Sequence, residues 1–204
     1  MKRLVIVLCL MVVGFAMSAQ SAFKEGTHYE VLDKNKSEKP IVKEFFSLFC
    51  QHCFQFEPFM DSLASSLPNG VEFVKSHVDY LPRDNKPVSS GIVKAFIMMG
   101  DLGKEKELAA KFFAAIHLGQ APVASENDIK MLFIDSGVSG SKFDQLYNSK
   151  SVKDRAKAMS ELWIEYEISS VPTVVVNEKY KINMSSLKSI SELIDITLFL
   201  LKQK

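Results

Sequence analysis

The sequence predicts an α/β sheet domain interrupted by an all-helical insertion. Three observations carry this. A β-branched and aromatic run over 41–49 feeds straight into a helical pattern, Phe54, Phe56, Phe59, Met60 and Leu63. A second strand-like run follows at 71–78, completing a strand–helix–strand unit whose two strands should be parallel. Residues 82–166 then show helical periodicity alone, before strand character returns at Val171.

The elements follow in order. Lys2 and Arg3 precede an apolar run of 14 residues, 4–17, and a small-residue stretch, 18–22. That layout predicts a secretory signal peptide cleaved between Ala19 and Ala22, favoured over an uncleaved anchor holding the same domain at the membrane because a membrane span needs roughly 20 apolar residues. Cys9 lies inside the run and is expected to leave with it. Residues 23–39 are polar apart from Tyr29, Val31 and Leu32, which suit an edge strand. Pro40 opens the strand 41–49, apolar enough to be buried on both faces. Pro58 should kink the helix after it, and Pro68-Asn69-Gly70 ends that helix.

A loop over 82–87 introduces helical patterns at 89–99, 103–117, 126–136, 141–147 and 151–166. Gly100, Gly119, Gly137 and Gly140 are expected as turn or C-cap positions between them. Strand residues 171–176 turn at Asn177-Glu178-Lys179 into Tyr180-Lys181-Ile182, a hairpin. An amphipathic helix over 186–202 closes the chain. The sheet domain is thus expected over 23–81 and 167–204, with the helical insertion at 82–166.

Composition excludes several classes of function. The 204 residues carry 25 Lys+Arg against 24 Asp+Glu, and 47% apolar content can fill a core. Losing Lys2 and Arg3 with the leader leaves 23 against 24, a charge of −1. Nucleic-acid and membrane-surface binding are therefore not expected. Of three cysteines only Cys50 and Cys53 would remain, in a compartment outside the cytosol.

Cys50-Gln51-His52-Cys53 stands where a strand meets a helix. The helix N-terminus offers partial positive charge and unsatisfied N–H donors, which favour a thiolate. Cys50 at the cap should be the exposed nucleophile, and Cys53, one turn in, the buried resolving thiol. His52 lies between them and could stabilise the Cys50 thiolate further. Two other readings stand beside this redox dithiol. One is half of a zinc site completed by His28, His77, His117 or carboxylates, although no histidine pair has metal spacing. The other is an inert disulfide, weak because so small a loop removes little chain entropy. Val171-Pro172 begins a strand with a proline, either as a simple strand start or as a cis bond presenting backbone to a client's extended chain.

The run from Glu44 to Glu57, EFFSLFCQHCFQFE, closely resembles the active-site stretch of the DsbA family of bacterial periplasmic disulfide-forming oxidoreductases. Lys75-Ser76-His77-Val78, Val171-Pro172 and Val176-Asn177-Glu178-Lys179-Tyr180 resemble it in the same order. The resemblance implies a thioredoxin-like fold with an inserted all-helical domain and a cis Val171–Pro172 bond. It further implies donation of the Cys50–Cys53 disulfide to reduced exported proteins in the periplasm. A DsbB-like quinone-linked membrane oxidase would restore that disulfide, and the redox-active disulfide would take the place of a cofactor or metal.

Glu44, Glu57 and Lys75 match charged family positions that tune the site or pass protons. A charge in an apolar strand is costly unless paired, so a Glu44–Glu57–Lys75 cluster beneath the cysteines is physically reasonable. Gln51 departs from the family, which has proline there. It leaves the expectation of an oxidase, with room for a less oxidising poise than the typical member. A peptide-binding or chaperone-like module is the alternative from another class. A reductase or isomerase would usually bring a dimerisation domain, for which 23–40 is too short, so a monomer is expected.

Overall fold

A computed structural model describes residues 23–203; the expected leader, its cleavage site and Cys9 lie outside them. Five strands form one mixed sheet in the order β1-β5-β4-β2-β3. They are β1 Tyr29–Val31, β2 Ile41–Phe46, β3 Glu72–His77, β4 Thr173–Val176 and β5 Tyr180–Ile182. β2 and β3 are parallel and joined through α1, Gln51–Ser66, while the other pairings are antiparallel.

Strand alternation divides the core between the two faces of the sheet. Val174 and Val176 of β4 pack with Met60 and Leu63 of α1 and with Ile196 and Leu200 of α7, Ile190–Leu201. Val175 turns the other way, onto Phe45, Tyr166 and Ile168. Asn177 and Glu178 take φ of 51° and 60°, the left-handed pair that a tight hairpin between β4 and β5 needs.

Five helices stand between β3 and β4: α2 Lys86–Asp101, α3 Glu105–His117, α4 Glu126–Ile134, α5 Gly140–Tyr147 and α6 Lys150–Glu165. Their core includes Ile92, Met98, Phe112 and Phe133, and it runs without a break into Phe46, Leu48, Cys50 and Cys53. The helical block is therefore packed directly on the cysteine corner of the sheet domain.

Several sequence-based boundaries move, each for a local reason. β2 stops at Phe46, because Ser47-Leu48-Phe49 turns back: the Cys50 N–H donates to the Ser47 carbonyl at 3.0 Å and the Phe49 N–H to Ser47 Oγ at 3.1 Å. α2 begins at Lys86 rather than 89, since Asn85 caps it by accepting the Val88 N–H at 3.2 Å. Pro87 then sits in the first turn, where its missing N–H leaves nothing unpaired. α7 begins at Ile190 rather than 186. Ser189 is its cap, and Met184–Ser186 is a separate short 3-10 turn. Gly100 lies inside α2 and Gly140 opens α5, so neither caps a C-terminus. Gly119 and Gly137 take the positive φ expected of such positions, and Gly103 does so in place of Gly100. β4 starts at Thr173, one residue after Pro172, which has no N–H to give the ladder.

Candidate active site

Cys50 occupies the N-cap of α1, with φ −92° and ψ 115°, and its sulfur accepts the Cys53 N–H at 3.1 Å. Sulfur here stands where a serine or aspartate oxygen usually caps a helix. The Cys50 thiol also donates to the Val171 carbonyl at 3.3 Å. Both cysteines are free thiols. The Cys53 side chain's hydrogen bond pulls Cys50 down to about 7. Burial opposes this, and the backbone N–H groups of Cys53 and His52 add to the lowering. Cys53 goes the other way: burial first, then the hydrogen bond and charge of Cys50, push its thiol far above the ordinary value. The two thiols are thus inequivalent, one ready to ionise and the other holding its proton.

Cys50 is less open than the sequence suggested. It keeps 8% of its surface, against none for Cys53, because the Val171 carbonyl lies against it. Gln51 and His52 are both exposed. His52 reaches Cys50 through its backbone N–H, and its ring makes no hydrogen bond, ion pair or ring contact among the described residues. The Val171–Pro172 bond is cis, as is Leu81–Pro82.

Register brings the charged residues together. Glu44 of β2 and Lys75 of β3 are partners in the parallel ladder, so both side chains leave the same face of the sheet, towards Glu57 on α1. Lys75 Nζ donates to Glu57 at 2.6 and 2.8 Å and stands 3.3 Å from Glu44 Oε2. The Glu44 contact is an ion pair without hydrogen-bond direction, and both oxygens of this fully buried carboxyl lack a hydrogen-bond partner. Burial raises Glu44 to about 7 against the pull of Lys75, with Glu57 and Cys50 adding to the rise. Burial alone would lower Lys75, but Glu44 and Glu57 outweigh it and hold the ammonium above the ordinary lysine value. Glu44 in turn adds to the rise at Cys53, which ties the cluster to the cysteine pair.

Two features escaped the sequence reading. Phe56 and Phe59, whose rings meet edge to face at 5.4 Å, line a cleft of about 280 Å³ with Met184, Leu187, Ile190 and Leu193. Phe59 is 42% exposed. Helical spacing placed both rings on the helix without saying which face is covered, and the packing of α7 shows that they border a surface. Tyr80 is the second. Its hydroxyl is buried without a partner, and burial, then the charges of Cys53 and Cys50, raise it to about 12. Of the residues weighed as metal ligands, His77 and His117 spend ring nitrogens on the Leu48 backbone. Among the described residues no cluster of three His, Cys, Asp or Glu could hold a metal ion.

Comparison with known proteins follows the same lines. Residues 41–195 match the family model of the DSBA-like thioredoxin domain. The chain is 33% identical over 194 residues to the thiol:disulfide interchange protein DsbA of Salmonella typhimurium, covering 94% of this chain and 91% of that protein. It is 31% identical to the Escherichia coli K12 protein of the same name, covering 90% and 87%. The crystal structure of Pseudomonas aeruginosa DsbA superposes with a TM-score of 0.76 at 25% identity, over 88% of this chain and 93% of that one. A Proteus mirabilis DsbA variant holding a non-covalently bound peptide, PWATCDS, superposes with a TM-score of 0.76 at 26% identity, over 89% and 99%.

Proposed function

Because this chain belongs to the DsbA family of thioredoxin-like thiol:disulfide oxidoreductases, we propose that it oxidises exported proteins in the periplasm through Cys50. The observation that carries this is the inequivalence of the two thiols, a capped Cys50 near 7 beside a buried Cys53 far higher.

The chemistry follows from that difference. A client thiolate attacks Cys50 Sγ in the Cys50–Cys53 disulfide; the S–S bond breaks and its electron pair leaves on Cys53, which takes up a proton. A second client thiolate attacks the client sulfur of the mixed disulfide. Cys50 then leaves as a thiolate, stabilised by the Cys53 N–H and the helix end. The client loses two electrons and this chain gains them. A good leaving group at Cys50 favours the reduced enzyme, which is what an oxidant needs. Glu44, with its carboxyl near 7 and its influence on Cys53, is suited to supply the Cys53 proton, held by Lys75 and Glu57. His52 adds a backbone donor, Gln51 tunes the poise, and Val171 with Pro172 presents backbone to the client. An outside oxidant must remove the two electrons, and a DsbB-like quinone-linked membrane protein fits that need. The basic and apolar N-terminal residues support export through a cleaved leader.

The cleft at Phe56 and Phe59 begins one turn past Cys53 and suits apolar residues flanking a client cysteine. One assay tests both statements: the disulfide form is mixed with a reduced dithiol peptide. The expected result is one peptide disulfide per chain, with two new thiols on the protein. No peptide disulfide would overturn the function. Phe59→Asp should lower kcat/KM for a peptide with apolar flanks about tenfold, through the lost apolar contact and a new charge, and leave oxidation of glutathione unchanged.

A further inference from the structure

Two histidines grip the backbone of a single residue, Leu48, just before the cysteines. The Leu48 N–H donates to His77 Nε2 at 2.9 Å, and the Leu48 carbonyl accepts from His117 Nε2 at 2.9 Å. Each contact fixes a proton. His77 accepts at Nε2 and so carries its hydrogen on Nδ1, which donates to the Val78 carbonyl at 2.7 Å. Burial pushes the His77 imidazole down to about 4, so it stays neutral in that role. A carbonyl can only accept, so His117 must present Nε2–H.

The two rings come from different parts of the molecule. His77 ends β3 of the sheet domain, and His117 ends α3 of the helical block. His117 does more than bond Leu48. Its ring lies flat on Phe54, with centroids 5.3 Å apart and planes 9° from parallel. Leu48 and Phe54 bracket the four residues Cys50 to Cys53. One side chain from the helical block therefore touches the segments on both sides of the redox motif.

The held turn reaches both cysteines, one through its backbone and the other through its sulfur. Ser47 accepts the Cys50 N–H through its carbonyl at 3.0 Å, and its own backbone N–H hydrogen-bonds the Cys53 sulfur. Displacing Leu48 therefore moves the Cys50 backbone relative to the Cys53 N–H that its sulfur caps. We propose that His117 is a positioning residue of the redox centre, holding the Leu48 carbonyl and the Phe54 ring so that Cys50 Sγ stays on the Cys53 N–H. The helical block thereby sets the poise of the cysteine pair as well as covering it. This rests on the reading of Cys50 as the redox sulfur.

Three substitutions separate hydrogen bond from stacking. His117→Gln keeps an N–H donor of similar reach, His117→Asn keeps the polarity but is too short, and His117→Phe keeps the stack and drops the donor. Each is titrated for Cys50 thiolate by ultraviolet absorbance and equilibrated with glutathione, with thermal unfolding alongside. Asn and Phe should shift the glutathione equilibrium about tenfold towards the disulfide form, with a matching rise in the thiolate midpoint. Gln should stay within about twofold of the parent. If Asn and Phe titrate like the parent, or if Gln moves as far as they do, the proposal is wrong. Should the Phe variant not fold, the Asn and Gln pair still decides. A parent protein whose Cys50 titrates as an ordinary thiol would instead overturn the redox reading itself.

Discussion

Cys50→Ser is expected to leave a folded protein that oxidises no peptide, a loss of roughly 10³-fold or more in the dithiol-peptide assay. A serine oxygen still accepts the Cys53 N–H and so still caps α1, which keeps the helix end intact. What disappears is the sulfur that a client thiolate attacks. Cys53→Ser differs in kind. Cys50 remains reactive but has no partner to resolve it. Given the peptide as its disulfide, the Cys50 thiolate should attack one peptide sulfur, break the peptide S–S bond with the other sulfur leaving as a thiol, and stay joined to it, visible as one added peptide mass. If oxidation survives in Cys50→Ser, the protein works by another route, and a holding module of the chaperone type becomes the better reading.

Glu44→Gln should stabilise the protein in a pH-dependent way. Burial holds this carboxyl near 7 in the fold, against an ordinary value of 4.5. Between those values the fold keeps a proton that the unfolded chain has released. The unfolded state binds fewer protons there, so stability falls as pH rises through that window. At about 1.4 kcal/mol per pH unit the parent loses on the order of 3 kcal/mol by neutral pH. A neutral amide of the same shape does not titrate. At about pH 8 the variant should melt roughly 5–10 °C above the parent, and at about pH 4 within a degree or two of it. Thermal unfolding across that range checks this, and a Tm difference that ignores pH would contradict it. Lys75 keeps Glu57 in the variant, at 2.6 and 2.8 Å, so its ammonium is not left unpaired.

Much of this was legible in the sequence. Strand residues running into a helical pattern located the Cys50–Cys53 motif at a helix start, since periods of two and of 3.6 are distinct over those lengths. The Glu44–Glu57–Lys75 cluster was anticipated because a charge amid apolar strand residues demands a partner, and parallel register supplies Lys75. Where α2 and α7 begin was also written in Asn85-Lys86-Pro87 and in Ser189-Ile190-Ser191-Glu192, cap signals that outrank periodicity at a helix end. Other features needed the fold. Phe56 and Phe59 have the same spacing as core residues, and which of them lack a neighbour depends on where α7 lies. His117 stands 64 residues after Cys53 in a different structural block, and no local pattern joins the two. The covering of Cys50 by the Val171 carbonyl is a contact across 121 residues, equally invisible to spacing.

The account turns on one asymmetry, an ionisable Cys50 over a proton-holding Cys53, and a thiolate titration of the reduced protein tests it most directly. Ultraviolet absorbance followed against pH, with Cys53→Ser as the assignment control, should show a single thiolate forming with a midpoint of about 7. The second thiol should stay silent far into the alkaline range. A midpoint at the ordinary thiol value of about 8.5, or two thiols titrating together, would contradict it.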